Sequence, residues 1–426
     1  MAIFKDTHFS KPWFFIPVLY FAEGLVYILV NSVSVIFYKK MGLSNSLIGL
    51  TSFLYLPWVI KMFWGPLVDG VSTKRSWVIW MQVAIAGCLF LTALVIPLPG
   101  YFILTLVLFV LAAFCSATHD IATDGFYMLS LSEKEQALYV GIRSLCYRLA
   151  MIFGTGFLVF LAGRIEVIRN SIPLSWSLVF VIAGGIYLII AVIDKLALPH
   201  PPTDGSAARQ ATADAGVKPS SPFAGAFSTY FKQDGIIAIL LFIVFYRFGE
   251  ALLIKMIPPF LLDKHEAGGL GLATSQVGLV YGTVGLTSLI IGGIAGGAVI
   301  AKLGIRKCIW PFAILMNLPI LFFMYMAFAK PALPWVYAMV SLEQLGYGVG
   351  MTALTVVLLF AAKGQYKTSH YAISTGIMAI GMMVPGIVSG YLQEWLGYYK
   401  FFILAGMLTL PGMVCIRFLP MTRPAE

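Results

Sequence analysis

The chain has 426 residues, of which 60% are hydrophobic and 11% charged, and its formal net charge is +10. A soluble domain carries about 25% charged residues, so a mean hydropathy of +0.92 excludes a soluble enzyme and reads as a polytopic membrane protein. The basic excess belongs to membrane-flanking loops rather than to a nucleic-acid surface, because no basic face or nucleic-acid motif accompanies it.

In chain order, apolar stretches long enough to cross a bilayer as helices fall at about 12–38, 46–68, 76–96, 101–124, 137–162 and 173–196. The first is too long for the apolar core of a cleaved signal and lacks an A-x-A exit. A gap follows at 197–232, rich in Pro, Ser, Gly and Ala. It reads as a flexible cytoplasmic linker with a short interfacial helix expected near 222–231. Six further spans lie at about 235–262, 274–300, 306–328, 333–361, 368–395 and 399–419. The expected fold is all-α, with twelve transmembrane helices in two six-helix bundles, 1–196 and 233–426.

With the N-terminus inside, 16 of the 28 Lys and Arg residues fall on the cytoplasmic side, seven outside and five within spans. This bias places both termini in the cytoplasm. The five cysteines form no CxxC pair, so no disulfide framework or metal site is expected. No nucleophile–base constellation appears, so no catalytic residue and no cofactor is expected. The linker is too short to be a signalling domain, which argues against a sensor.

The halves repeat. The loop after the second span, GPLVDGVSTKRS (65–76), parallels GAVIAKLGIRKC (297–308) after the eighth. Phe21-Ala22-Glu23-Gly24-Leu25 in the first span parallels Phe248-Gly249-Glu250-Ala251-Leu252 in the seventh. Two six-helix halves in parallel repeat are a transporter design. The loops also match the signature of the major facilitator superfamily, G-x-L-x-D-R/K-x-G-R/K-R/K. Gly65, Leu67, Asp69, Lys74 and Arg75 fill it in the first half, with Gly70 where a basic residue is usual and one extra residue in the turn. Gly297, Lys302, Gly304, Arg306 and Lys307 fill it in the second, with Ala301 in place of the acid. Glycine allows a tight helix exit, Asp69 can accept charge-assisted hydrogen bonds, and the basic residues anchor at headgroups.

Away from the outermost turns of the spans stand five cations, Lys61, Arg143, Arg148, Arg247 and Lys255, and the acids Glu23, Asp120, Glu250 and Glu343, with Asp124 at the membrane edge as the fifth acid set against them. Each costs about 2.5–3.5 kcal/mol at a helix centre facing lipid, so such groups pair or face protein. Asp120 and Asp124 share one helix face, and Asp120–Arg148 or Asp124–Arg143 contacts are expected from adjacent helices. These acids with Arg143 read as a charge network for gating. Arg247 and Glu250 also share a face. Glu250, Glu23, Arg247, Arg148, Glu343 and Lys61 are the candidates for proton coupling or for lining a cavity. His119, beside Asp120, reads as bonded to its neighbours rather than as a proton relay.

At this point the chain resembles a particular family, the AmpG-type muropeptide permeases. The stretches that carry the resemblance are PWVIKMFWGPLVD (57–69), FCSATHDIATDGF (114–126), YRLAMIFGTG (147–156), YRFGEAL (246–252), Glu343-Gln344 with its Gly-rich continuation, and SHYAIS (369–374). The resemblance implies a monomeric, proton-driven importer of anhydromuropeptides in the bacterial inner membrane. It makes Asp120, Asp124, Lys61, Arg148, Arg247 and Glu250 the family-like positions. Glu23 departs from it, standing where a small polar residue is expected. Other readings left open are a transporter, inward or outward, of another small organic anion, sugar or acyl-CoA-type solute.

Overall fold

The computed structural model describes residues 11–201, 204, 221–362 and 367–420. Half of the predicted linker, 202–203 and 205–220, lies outside the described residues. Every regular element among the described residues is helical. In chain order the apolar helices are α1 (Pro12–Lys40), the shorter α2 (Asn45–Ile60), α3 (Lys74–Val95), α4 (Tyr101–Ser130), α5 (Lys134–Arg169) and α6 (Ile172–Ala197). They continue as α7 (Ile236–Leu262), α8 (Thr274–Leu303), α9 (Ile305–Ala329) and α10 (Leu333–Ala361). The last run, Ser369–Phe418, is 50 residues long. It divides at Gly397, whose φ of 72° suits glycine alone, into α11 before the break and α12 after it. Ten of these helical runs are long and apolar enough to cross a membrane. A short helix, Ser221–Phe231, precedes α7, where an interfacial helix is expected.

The helices outrun the apolar windows that predict them. The fifth span is expected at about 137–162, yet α5 covers Lys134–Arg169. Its polar first turn is held by a capping box, with the Ser132 hydroxyl at the N-cap and the Glu135 carboxylate reaching back. Hydropathy cannot register such polar turns.

Two predicted spans are not continuous helices. The second, expected over 46–68, is α-helical at Asn45–Leu50 and Leu56–Ile60 with a 3₁₀ stretch, Thr51–Tyr55, between them, tightens again to a 3₁₀ turn at Lys61–Phe63 and resumes at Gly65–Val71. Pro66 opens the resumed helix. It offers no N–H to the preceding turn and restricts the residue before it. The seventh breaks at Tyr246–Arg247, where Arg247 has φ −112° and ψ 6°. No proline lies there. Instead α12 presses against the break: a Cβ on Gly412 would lie 2.4 Å from the Phe245 carbonyl, and one on Gly249 would lie 2.3 Å from the Ala405 carbonyl. Helix α8 contains a π-helical stretch, Gly278–Gly285.

The chain forms two compact units. One comprises residues 1–37 and 60–217, with a core that includes Phe15, Leu19, Val78 and Phe126. The other comprises residues 38–59 and 218–426, with Phe242, Phe312, Met316 and Leu354 in its core. In the second unit, the segment 38–59 is tied to the ends of α7, α11 and α12. Lys39 Nζ lies 2.7 Å from Asp263 Oδ1 and donates to Asn45 Oδ1 at 2.7 Å. Asn45 Nδ2 donates to Gln393 Oε1 and to the Tyr398 hydroxyl, which in turn donates to Asp263 Oδ2 at 2.7 Å. Large apolar side chains such as Ile103, Ile294, Phe328 and Trp395 stand outward and exposed, as lipid-facing positions require.

Candidate functional site

Each unit holds one cluster of intramembrane charge. In the first unit it is assembled from four helices. Lys61, at the 3₁₀ turn where the second span breaks, forms an ion pair with Asp120 Oδ2 on α4. Asp124, one turn further on, accepts from the Tyr20 hydroxyl of α1 at 2.8 Å and from Arg143 Nη2 of α5 at 3.2 Å. The Arg143 guanidinium also lies over the Tyr20 ring, 4.5 Å from its centroid, and 5.3 Å from that of Tyr127. The expected Asp124–Arg143 contact is therefore formed. Asp120 pairs with Lys61, a partner that sequence spacing does not suggest. Arg148 is half-buried on α5.

Glu23 stands beside Asp120, Asp124 and Lys61, with Oε2 buried and without a hydrogen-bond partner. A side chain from α6 reaches the backbone of α1 next to it. The Tyr187 hydroxyl of α6 accepts from Val26 N at 2.9 Å and donates to the Ala22 carbonyl, inserting into the ladder that would join those two groups. His119 is fully buried, with Gln82 and Thr123 against its ring nitrogens, as the bonded reading expects.

The cluster in the second unit forms around the break in α7. Arg247 Nε donates to Glu250 Oε2 at 3.1 Å, the same-face pair expected from their spacing. Arg247 Nη2 reaches the Tyr347 hydroxyl of α10. Glu343, also on α10, accepts from Gln344 Nε2 at 2.9 Å and faces the Glu250 carboxyl. Tyr281, in the π-helical stretch of α8, lies beside both acids. Arg247, Glu250, Glu343 and Gln344 are all at most 3% exposed. Two buried carboxyl groups thus meet one guanidinium. Among the described residues Glu343 receives a neutral amide and no cation, and Glu250 Oε1 has no partner. Lys255 is 7% exposed, further along α7.

The loop residues take parallel places. Lys74 and Arg75 open α3, and Arg306 and Lys307 open α9, each the third helix of its half. Asp204 accepts from the backbone N–H groups of Lys74 and Arg75 at 2.7 and 3.2 Å, an acid at the positive end of α3. The Arg75 side chain donates to the Leu198 and Lys195 carbonyls at the end of α6. Gly65 begins the resumed helix after the break in the second span. The Asp69 side chain lies outside the described residues.

Tyr20, Tyr281, Tyr347, Gln82 and Asp194 are site residues that sequence reasoning missed. The tyrosines read as interface or packing aromatics. Only the signal of a polar group inside an apolar span marks Gln82 and Asp194.

Comparison with known proteins agrees with this construction. The profile of the Major Facilitator Superfamily matches residues 18–369. The anhydromuropeptide permease of Escherichia coli is 27% identical over 409 residues, covering 94% of this chain and 78% of the permease. An uncharacterised protein of Haemophilus influenzae is 26% identical, covering 93% and 91% of the two chains. Among solved structures, a nucleoside transporter superposes with a TM-score of 0.73 at 14% identity, covering 95% of this chain and 99% of that one. A D-xylose–proton symporter superposes at 0.70 with 13% identity, covering 97% and 99%. The helical fold, the repeated loops and the profile match together place this chain in the major facilitator superfamily of membrane transporters, among relatives that include an AmpG-type permease.

Proposed function

We infer that the protein is a proton-coupled importer of anhydromuropeptides or similar cell-wall-derived solutes, working by alternating access as a monomer in the bacterial inner membrane with both termini cytoplasmic. Its halves are the bundles 1–196 and 233–426, joined by the linker 197–232. The observation that carries proton coupling is the excess of buried carboxyl groups over cations around Arg247. Arg247 neutralises one of Glu250 and Glu343. A proton is the smallest counter-charge available to the other, and taking it up or giving it up changes the charge of the cluster by one unit. Glu343, held by an amide alone, is the group we assign to the proton.

The solute class rests on the similarity to the E. coli permease. The chemistry of the clusters suits it. Arg247 and Lys61 can each exchange an internal carboxylate for a peptide carboxylate, with Arg247 offering the bidentate fork. Tyr281 and Tyr347 offer ring faces to a sugar. The test is uptake of labelled anhydromuropeptide into vesicles carrying this protein, with and without an imposed pH gradient, against a panel of sugars, peptides and acetyl-CoA. Gradient-driven uptake of the muropeptide alone supports the reading. Uptake of another panel member, or muropeptide uptake indifferent to the gradient, refutes it.

A further inference from the structure

The first unit buries one more acid, away from the Lys61–Asp120 pair. Asp194 lies in the last turn of α6 and is fully buried. Its Oδ2 accepts from Gln82 Nε2 of α3 at 2.7 Å, while Oδ1 meets no donor among the described residues. Gln82 Nε2 is also 3.2 Å from His119 Nε2 of α4, and His119 Nδ1 is 3.4 Å from Thr123 Oγ1. Asp194, Gln82, His119 and Thr123 all have zero exposure. Because an amide nitrogen only donates, His119 Nε2 accepts, its Nδ1 carries the single ring proton, and the ring is neutral.

Among the described residues the charged groups around this chain are few. There Arg75 of α3 is the cation in range of Asp194, and its guanidinium is engaged with the Leu198 and Lys195 carbonyls. Lys195, next along α6, is exposed. Asp204 sits at the start of α3. On α4, Asp120 follows His119 and is held by Lys61. An ionised Asp194 is therefore buried away from bulk solvent, with a neutral amide in place of a cation in contact among the described residues and the negative end of the α6 dipole around it. A proton removes all three penalties.

We propose that Asp194 is a proton-binding site and that Gln82 and His119 transmit its occupancy to Asp120. The proton adds to Oδ2. The new Oδ2–H needs an acceptor, so the Gln82 amide turns and Oε1 takes the place of Nε2. Oε1 then also accepts from His119, which takes a proton from solvent at Nε2 and returns its Nδ1 proton to solvent through the Thr123 hydroxyl as the cluster opens, and Nδ1 then accepts from that hydroxyl. The net gain is one proton, at Asp194, and the ring is neutral in both states. Both arrangements keep the three contacts, so the chain has two states. The dipole of the ring next to Asp120 reverses between them. The proton at Asp194 is distinct from one at Glu343, and the proposal does not depend on which solute is carried.

The test uses the purified full-length protein in lipid bilayers and needs no solute, so failure of the muropeptide reading leaves its result intact. Infrared difference spectra across pH should show a protonated-carboxyl band that is lost in Asp194→Asn. Nitrogen-15 NMR of labelled histidine should show the His119 tautomer changing with pH in the wild type and fixed in Asp194→Asn. A carboxyl spectrum unchanged by Asp194→Asn, or a His119 tautomer that ignores pH in the wild type, overturns the proposal. Should Asp194→Asn fail to fold, Gln82→Leu keeps the acid but removes its donor. The midpoint of the same band then shifts, and an unmoved midpoint overturns the proposal equally.

Discussion

Arg247 Nε lies 3.1 Å from Glu250 Oε2, one helical turn apart on a helix that is broken at the arginine itself. The break lets the guanidinium turn both to its own helix and to Tyr347 on α10. Removing one partner leaves a buried charge unpaired, which costs about 3–5 kcal/mol. Arg247→Met should therefore lower the thermal unfolding midpoint sharply. The double variant Arg247→Met/Glu250→Gln should regain most of the loss, because neither charge remains. Equal midpoints for the single and double variants would show that the pair is not the energetic unit described here.

Of the two acids near Arg247, Glu343 is the one that receives an amide and no cation among the described residues. Glu343→Gln keeps its shape and its neighbour Gln344 but cannot exchange a proton. Uptake driven by a pH gradient should fall at least about tenfold, the effect of about 1.4 kcal/mol or more on the coupled step, while solute counterflow, which needs no net proton movement, persists. Intact gradient-driven uptake in this variant would move the coupling proton elsewhere.

Lys61 and Asp120 pair across a break in the second span. Lys61→Ala should destabilise the first unit and abolish uptake, since it leaves Asp120 buried beside Glu23. The swap Lys61→Asp/Asp120→Lys should recover folding, read as a monodisperse peak in size-exclusion chromatography, more fully than transport. If the swap is no better folded than Lys61→Ala, the pairing is not what holds the helices.

Lys39, Asn45, Gln393, Tyr398 and Asp263 form one hydrogen-bonded knot that fastens 38–59 to the rest of the second unit. Asn45→Ala leaves several of these groups short of a partner, at about 1–3 kcal/mol. Asp263→Asn removes the charge that holds Lys39. Either change should speed amide hydrogen exchange across 38–59 while leaving α3 and α4 as they are. Exchange that rises equally in α3 and α4 would indicate general unfolding instead.

The periodicity of apolar residues was enough to locate the helices, because a bilayer forces every backbone group into helical bonding and leaves a plain hydrophobic record. Spacing on one helix also made the Arg247–Glu250 pair readable, and the Asp120/Asp124 face with it. Those are local relations, fixed by 3.6 residues per turn. The sequence by itself therefore determined the class of protein and pointed to most of the charged residues that its spanning helices carry, though not to Asp194.

Tertiary structure alone decided how those charges meet. Lys61 reaches Asp120 across 59 positions of chain, Asp194 meets His119 through Gln82, and the break in α7 arises where α12 presses on it. Lipid-facing and protein-facing sides of a span are equally apolar, so hydropathy does not say which residue looks at which neighbour. Packing of the helices supplies that choice, and the cost of an unpaired charge in a low-dielectric interior makes it binding.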